Sequence, residues 1–173
     1  MSGPLPLRLG ILTLSDKGAA GQRADLSGPT VRDLLLAALP ETQVARMAVS
    51  PDDRAAIEAI LRAWCDRDGL GLIITTGGTG LAPRDVTPDA TLAVLDYQVP
   101  GMAEAMRAAG LAHTPLAMLS RAVVGVRGRT LIVNLPGSPK AVRESLPVIL
   151  PVLPHALEKL AGDPADCVPV PPP

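Results

Sequence analysis

The chain has 173 residues, of which 47% are hydrophobic and 19% are charged, and its formal net charge is −1. This length and apolar content predict one folded domain and exclude disorder for most of the sequence. A nearly neutral charge and an aromatic content of 1% argue against nucleic acid and membrane surfaces as partners, because the chain lacks a general attraction to polyanions and aromatic platforms for bases.

The amino-terminal half alternates apolar runs with helical patterns. Its first apolar run ends in the polar loop Ser15-Asp16-Lys17-Gly18, which is typical of a buried strand entering a loop. The segment Ser50-Pro51-Asp52-Asp53 supplies an N-cap, a proline and an acidic first turn, so it predicts a helix start. The predicted elements are strands over residues 7–14, 43–49 and 71–75 and helices over residues 28–39 and 50–67.

The carboxyl-terminal half continues this alternation. The predictions are, in order, a helix capped by Thr87-Pro88, a helix from near Gly101, a strand or a strand with an irregular end over 116–126, a strand over 130–135, a helix capped at Pro136-Gly137-Ser138-Pro139, and a last helix that Pro147 and Pro151 set apart and that ends near Leu160. The proline-rich residues 163–173 are predicted to be a disordered tail.

Strands alternating with helices of this length predict an α/β fold with three α/β/α layers around a mostly parallel sheet, formed by residues 1–162. Ligands of such folds bind at the carboxyl ends of the strands, so the loops after Leu14, Thr75 and Leu135 are expected to converge. Polar and glycine-rich residues gather in the same three loops. Composition and topology therefore point independently to one site.

The loop Thr75-Thr76-Gly77-Gly78-Thr79-Gly80 offers closely spaced backbone N–H groups and small side chains, as a bound phosphate requires. It lacks the lysine of a Walker A loop, and Pro83 stands where a dinucleotide-binding fingerprint would have its third glycine. Taken alone, the loop is equally well explained as a tight turn without a ligand.

Two aspartates near these loops are candidate Mg²⁺ ligands. A carboxylate beside a phosphate is repelled unless a divalent cation lies between them, so Asp85 makes sense chiefly as a direct or water-mediated ligand. Its alternative role is a salt bridge to Arg84 or another turn contact. For Asp52 the alternative is stronger, because the helix dipole stabilises an acid in a first turn whatever the function.

Three polar residues have roles that the pattern leaves open. Ser120 closes an apolar segment, and Asn134 can donate to and accept from the edge of a heterocycle. Ser138 before Pro139 is ordinary helix capping, although it also leaves N–H groups pointing outward. The core is predicted to include three methionines, Met102, Met106 and Met118.

The cysteines and histidines suggest no further site. Cys65 and Cys167 are far apart and form no CxxC or Cys/His pattern, so they predict neither a disulfide nor a zinc site and fit a reducing cytoplasm. His113 and His155 are isolated and receive no catalytic role. Residues 1–7 lack a signal-peptide pattern and no segment offers about 18 consecutive apolar residues, so we expect a cytoplasmic protein that neither enters secretion nor spans a membrane.

Residues 75–91, TTGGTGLAPRDVTPDAT, resemble the signature of the molybdopterin adenylyltransferase family, which includes MogA, the MoaB proteins and gephyrin-type G domains. The resemblance spans about residues 7–162. Further agreement lies in the Ser15-Asp16 loop with Asp25 and Ser27-Gly28-Pro29, in Ser50-Pro51-Asp52-Asp53, in TPLAMLSRAVVGVRG over 114–128, and in LIVNLPGSPKAV over 131–142.

The resemblance implies a MogA-like fold, usually a homotrimer, that transfers AMP from MgATP to molybdopterin and releases pyrophosphate in molybdenum cofactor biosynthesis. It also implies hand-off of the product to a molybdenum-insertion protein. The family's two essential carboxylates, here the expected catalytic residues and Mg²⁺ ligands, fall on Asp52 and Asp85. The positions expected to bind substrate or nucleotide are Ser15, Asp16, Gly77, Gly78, Thr79, Gly80, Ser120, Asn134, Pro136, Gly137 and Ser138.

Two positions depart from the family pattern. Family members commonly carry a glutamate where this chain has Gln98 and an arginine where it has Leu26. These departures are the only sequence support for an alternative function, a molybdopterin-binding carrier or scaffold without adenylyl transfer. A third hypothesis is a paralogue acting on another nucleotide or pyrophosphate bond, as in competence-damage proteins, but the complete PRDVTPDAT stretch favours the cofactor pathway.

Overall fold

The computed structural model describes residues 6–164, which form a six-stranded sheet covered by helices. The strands are β1 (Arg8–Leu14), β2 (Gln43–Ser50), β3 (Leu72–Thr76), β4 (Tyr97–Gln98), β5 (Val124–Arg127) and β6 (Thr130–Leu135). Their order in the sheet is β2-β1-β3-β6-β5-β4. β2, β1, β3 and β6 run parallel, whereas β5 is antiparallel to both of its neighbours. The prediction of a mostly parallel sheet is confirmed.

Helices lie on both faces of this sheet. They are α1 (Asp16–Ala19), α2 (Ser27–Ala38), α3 (Arg54–Arg62), α4 (Thr87–Leu92), α5 (Pro100–Gly110), α6 (Pro139–Ile149) and α7 (Leu153–Ala161). A π-helical turn, Ala63–Arg67, continues α3, and 3₁₀ turns occur at Pro115–Leu119 and Leu150–Val152.

Two hydrophobic clusters fill the spaces between the sheet and the two helical layers. One cluster joins the sheet to α2, α5, α6 and α7, and the other joins it to α3, the π-helical turn and α4. β1 has apolar residues on both of its faces. Leu9 and Ile11 enter the first cluster, whereas Leu12 and Leu14 enter the second. A central strand with both faces covered has no solvent side on which polar residues would be favoured.

Two predicted helix starts are wrong in detail. Ser50 ends β2, and the N-cap of α3 is Asp53, whose Oδ1 accepts a hydrogen bond from the Ala56 N–H at 2.8 Å. Asp52 therefore lies directly before the cap and not in the first turn of the helix. Thr87 is the first residue of α4 rather than its cap, and its hydroxyl donates to the Gly77 carbonyl at 2.9 Å.

The segment 116–126 is only partly a strand. Pro115–Leu119 forms a 3₁₀ turn because Thr114 caps it through the Leu116 N–H, and β5 begins only at Val124. Met118 lies on this turn and is 63% exposed, so its predicted place in the core is wrong, whereas Met102 and Met106 are buried.

Proline breaks the carboxyl-terminal helices less than predicted. Pro147 is exposed inside α6, where buried Leu146 and Ile149 hold the helix against the core.

The predicted helix over 50–67 is α-helical only to Arg62. α7 ends at Ala161, and its C-cap is Gly162, which has φ of +93°. Of the predicted tail, residues 165–173 lie outside the described part of the chain, as does Cys167. Within residues 6–164, no helix combines the length and the apolar character needed to cross a bilayer.

Candidate active site

The loops after β1, β3 and β6 meet at the carboxyl ends of the strands, as predicted. The Gly77 N–H donates to the Leu135 carbonyl at 3.1 Å, and the Thr76 hydroxyl donates to the Pro136 carbonyl at 2.7 Å. Gly77 has φ of +104°, and a Cβ on it would lie 2.3 Å from the Leu14 carbonyl oxygen. The close approach of the three loops therefore requires glycine at this position.

Two adjoining cavities open at this junction. The acidic cavity has a volume of about 510 Å³ and the apolar cavity about 260 Å³. They adjoin along the chain, because residues 77 and 78 line the first and residues 79 and 80 line the second. Predicted site residues on the acidic cavity are Ser15, Asp52, Gly77, Gly78, Asp85, Gly137 and Ser138. Those on the apolar cavity are Thr79, Gly80, Ser120, Asn134 and Pro136.

Asp16 lines neither cavity and instead holds Asp52 through two hydrogen bonds. The Asp16 N–H donates to Asp52 Oδ2 at 3.1 Å, and the Asp52 N–H donates to Asp16 Oδ1 at 3.0 Å. Arg84 donates to both oxygens of Asp16, at 3.0 and 2.6 Å. Arg84 thereby lowers the pKa of Asp16 and ties the loop after β3 to those after β1 and β2.

Asp52 carries a carboxylate oxygen that the described part of the chain does not satisfy. Its Oδ1 is buried and has no hydrogen-bond partner among residues 6–164. Burial raises the pKa of Asp52, and the nearby carboxylates of Asp16 and Asp85 raise it further. A Cβ on Gly78 would lie 2.8 Å from this oxygen, so glycine leaves the space beside it open. Buried oxygens without partners are uncommon in proteins and call for an explanation, such as a bound cation.

Asp85 faces the same cavity and is held by its own loop. Its Oδ2 accepts a hydrogen bond from the Ala82 N–H at 2.9 Å. Of the two alternative roles predicted for Asp85, the salt bridge to Arg84 is wrong, because Arg84 pairs with Asp16, and the turn contact is present in the bond from Ala82. One side of the Asp85 carboxylate is thus fixed in a turn, and the residue still lines the acidic cavity.

Arg121 holds the loop that carries Asp85, a role to which sequence reasoning gave no weight. Its guanidinium donates to the Gly80 carbonyl at 2.9 Å, to the Asp85 carbonyl, and to both carboxylate oxygens of Asp89 at 3.1–3.2 Å. Its backbone N–H donates to the Thr79 carbonyl at 2.8 Å. The only signal in the sequence was its position directly after Ser120.

Asn134 is fully buried, and its side chain is bonded within the protein. Its amide nitrogen donates to the hydroxyls of Thr75 and Thr91 at 2.8 and 2.9 Å, and its oxygen accepts from the Val123 N–H at 3.3 Å. These bonds tie β6 to β3, α4 and the segment before β5. The predicted contact of Asn134 with a heterocycle stays a prediction, but the geometry shows a residue that shapes the floor of the apolar cavity.

The three predicted serines differ in what they leave free. Ser15 and Ser138 cap α1 and α6, since their hydroxyl oxygens accept from the Gly18 and Ala141 N–H groups at 3.0 and 3.1 Å. The Ser120 oxygen accepts from the Ala122 N–H only at 3.3 Å. Ser120 therefore has the weakest internal bond of the three.

The carboxylates of Asp52 and Asp85 in the acidic cavity match in number those with which proteins commonly bind Mg²⁺. The described residues contain no cluster of three or more His, Cys, Asp or Glu side chains able to hold a metal alone. Mg²⁺ is commonly bound by one or two carboxylates together with substrate phosphates. Asp52, with its unpartnered oxygen, and Asp85 supply that number of carboxylates.

The two departures from the family pattern lie in different places. Gln98 is exposed in β4, pairs with Gly125 and lines neither cavity. Leu26 is 65% exposed and lines the acidic cavity. Of the two substitutions, only Leu26 changes the wall of the candidate site.

Comparisons with known proteins agree with this architecture. A molybdopterin adenylyltransferase from Helicobacter pylori is 38% identical over 157 residues, which cover 91% of this chain and 89% of that protein. The molybdenum cofactor synthesis protein cinnamon from Drosophila melanogaster is 43% identical over 157 residues, 91% of this chain but 26% of its own length. The solved structure of the molybdopterin biosynthesis enzyme MoaB from Thermus thermophilus is 56% identical with a TM-score of 0.84, covering 91% of this chain and 98% of that one.

The likeness to MoaB confirms the predicted three-layer fold. The model of the family described as a probable molybdopterin binding domain matches residues 10–155. This match covers most of the chain and includes both aspartates and all three converging loops, so the resemblance inferred from residues 75–91 is confirmed. The chain belongs to the molybdopterin binding domain family.

Proposed function

We propose that this protein is a molybdopterin adenylyltransferase, which transfers AMP from ATP to molybdopterin and releases pyrophosphate. The observation that carries the proposal is the meeting of Asp52, Asp85 and the Gly77-Gly78 turn on one cavity of about 510 Å³. The name of the Helicobacter pylori relative supports the same activity.

In the proposed reaction, an oxygen of the molybdopterin phosphate attacks the α-phosphorus of ATP in line. A new P–O bond forms, and the bond between the α-phosphorus and the pyrophosphate oxygen breaks. The phosphate nucleophile is already ionised at neutral pH, so the site needs no histidine or lysine as a general base. The protein's task is to position two phosphorylated substrates and to offset their charge.

Asp52 and Asp85 are the residues that would hold Mg²⁺. When bound, the ion would offset the negative charge on the reacting and leaving oxygens. Asp16 and Arg84 fix the orientation of Asp52, and Arg121 fixes the backbone of Asp85. The adjoining apolar cavity suits the uncharged ring portion of a substrate, because residues such as Ala103 and Met106 form its wall.

The remaining features of the proposal concern assembly and cellular context. Exposed apolar side chains on and near the 3₁₀ turn fit a surface shared between copies, as the homotrimer proposed here requires; they are Leu111, Leu116, Met118 and Leu119. The buried free thiol of Cys65 suits a reducing cytoplasm. The adenylylated product would be handed to a molybdenum-insertion protein.

The decisive experiment is incubation of the purified protein with molybdopterin and MgATP, followed by mass spectrometry. The proposal expects adenylylated molybdopterin together with an equal amount of pyrophosphate. Binding of molybdopterin without ATP-dependent product would contradict the proposal and favour the carrier hypothesis.

The Asp85→Asn variant tests the role of the carboxylate in this reaction. It keeps the size of the side chain and removes the charge, so we expect AMP transfer to fall on the order of 10²-fold or more. Asp53→Asn is the matched control, because Asn caps a helix about as well as Asp and residue 53 lies outside the cavity wall. Undiminished pyrophosphate release by Asp85→Asn would rule out the proposed role.

A further inference from the structure

The charges on the wall of the acidic cavity are unbalanced for a phosphorylated ligand. Three aspartates line it, Asp25, Asp52 and Asp85, and among the described lining residues Arg23 is the only basic one. Phosphate oxygens that enter this cavity meet three carboxylates in its wall. A single guanidinium at the wall therefore has a large share of the charge compensation that the protein itself can offer.

Arg23 differs in its bonding from two charged residues nearby, Arg84 and Asp25. Its guanidinium forms no hydrogen bond or ion pair with residues 6–164. By contrast, Arg84 is engaged with Asp16 at 2.6 Å. The oxygens of Asp25 accept hydrogen bonds from the Thr13 hydroxyl and the Gly28 N–H at 2.8 and 2.9 Å. No contact of its guanidinium within residues 6–164 explains why Arg23 stands at this position.

The backbone on either side of Arg23 is anchored. On one side the Gln22 N–H donates to the Lys17 carbonyl at 2.8 Å. On the other side Asp25 is held by Thr13 and Gly28. The segment between α1 and α2 therefore presents Arg23 at the cavity from a fixed stretch of chain, while its side chain stays exposed.

We propose that Arg23 is a specificity-determining residue that binds a phosphate group of the substrate at the acidic cavity. This inference rests on the proposed function, because that reaction brings phosphorylated ligands to this wall. The chemistry recognised is a phosphate oxyanion, supplied either by the triphosphate of ATP or by the phosphate of molybdopterin. Leu26 lines the same cavity, so a basic side chain placed at position 26 would also reach the cavity.

The test uses the full chain with Arg23→Ala, Arg23→Lys and the double variant Arg23→Ala/Leu26→Arg. Arg129→Ala is the matched control, because residue 129 is exposed in the turn before β6, at the opposite end of the sheet. For each variant, KM for ATP, KM for molybdopterin and kcat are measured at two salt concentrations. Binding of MgATP and of inorganic pyrophosphate to the resting protein is measured by calorimetry.

We expect Arg23→Ala to raise KM for one substrate about tenfold or more, with kcat changed by less than about threefold. The affected substrate identifies the phosphate, and weaker pyrophosphate binding points to ATP. Lysine should restore part of the affinity, and Leu26→Arg should rescue the alanine variant. The salt dependence of KM should be weaker in Arg23→Ala than in the unaltered protein or in Arg129→Ala.

Unchanged KM values, unchanged pyrophosphate binding and an unchanged salt dependence in Arg23→Ala would overturn the inference. If the unaltered protein transfers AMP and Arg23→Ala has the same KM values, pyrophosphate binding and salt dependence as the unaltered protein, the proposed function stands and the role of Arg23 fails. If the protein makes no adenylylated product but binds pyrophosphate through Arg23, the proposed function fails and the role of Arg23 stands. Absence of both product and phosphate binding overturns both.

Discussion

The acidic and apolar cavities adjoin along the chain, but Asp52 and Asn134 differ in what they leave unbonded. In the acidic cavity, a buried oxygen of Asp52 has no hydrogen-bond partner among residues 6–164, and the exposed guanidinium of Arg23 has none there either. In the apolar cavity, Asn134 uses both its amide nitrogen and its oxygen in internal bonds. A buried polar atom without a partner costs stability, so the Asp52 oxygen is a candidate contact point for a ligand. On this basis we propose that ligand charge is compensated in the acidic cavity and that ligand shape is recognised in the apolar cavity.

The Gly78→Ala variant should have the largest effect on this comparison. Gly78 has φ of +64°, and its new Cβ would lie 2.4 Å from the Thr87 hydroxyl oxygen and 2.8 Å from Asp52 Oδ1. We expect a loss of about 1–3 kcal/mol in the free energy of unfolding and at least a roughly tenfold loss of AMP transfer, because the methyl group displaces the carboxylate. Denaturant unfolding and product formation measure the two effects.

Gly69→Ala is the control for backbone strain alone. Gly69 has a similar φ of +61°, but a Cβ there meets nothing within 4 Å. We expect a loss of stability of the same order without loss of AMP transfer. Equal losses of transfer in both variants would mean that the space beside Asp52 has no special part in the reaction.

The Ser120→Ala variant probes the apolar cavity. Its hydroxyl makes only one long internal bond, so we expect thermal stability to change little. If Ser120 contacts a substrate, KM for that substrate should rise about threefold to tenfold while kcat stays nearly constant. A drop in thermal stability with unchanged KM would instead show that the serine stabilises the fold. Ser120 would then resemble Asn134, whose polar atoms are used in internal bonds.

The smallest expected effect concerns Asp52 and stability. Burial raises the pKa of Asp52 in the folded protein, so the folded state binds a proton more tightly than the unfolded state does. The contribution of Asp52 to the free energy of unfolding therefore falls as pH rises from the ordinary aspartate pKa of about 4 through the raised pKa. We expect Asp52→Asn to raise Tm slightly at pH 7, with a gain that shrinks at about pH 3.5.

Thermal unfolding at the two pH values checks this sign. Asp53→Asn is the matched control, since residue 53 is exposed and Asn is an equally good N-cap. A lower Tm for Asp52→Asn at pH 7 would show that the carboxylate stabilises the fold, and the interpretation of Asp52 as a residue kept for a ligand would lose its support.

Local patterns were sufficient for much of the fold. The alternation of apolar runs and helix starts predicted the parallel strands, because a strand covered on both faces must be apolar along its length. The resemblance over residues 75–91 placed the glycine turn and Asp85 together, since they are near in sequence. Predictions failed where tertiary contacts decided whether a helix continued or a side chain was buried. Pro147 stayed within α6, and Met118 turned outward on a 3₁₀ turn.

The sequence by itself determined the family, the parallel sheet and the meeting of three loops, because periodicity, turn residues and an extended motif are local properties. Only the tertiary structure decided that Arg84 pairs with Asp16, that Asn134 is satisfied internally and that the site divides into two cavities. These features depend on contacts between residues separated by 68 positions for the ion pair and by 59 and 43 for the two amide bonds. Partner choice over such separations follows from how the helices and loops pack on the sheet, which no local pattern specifies.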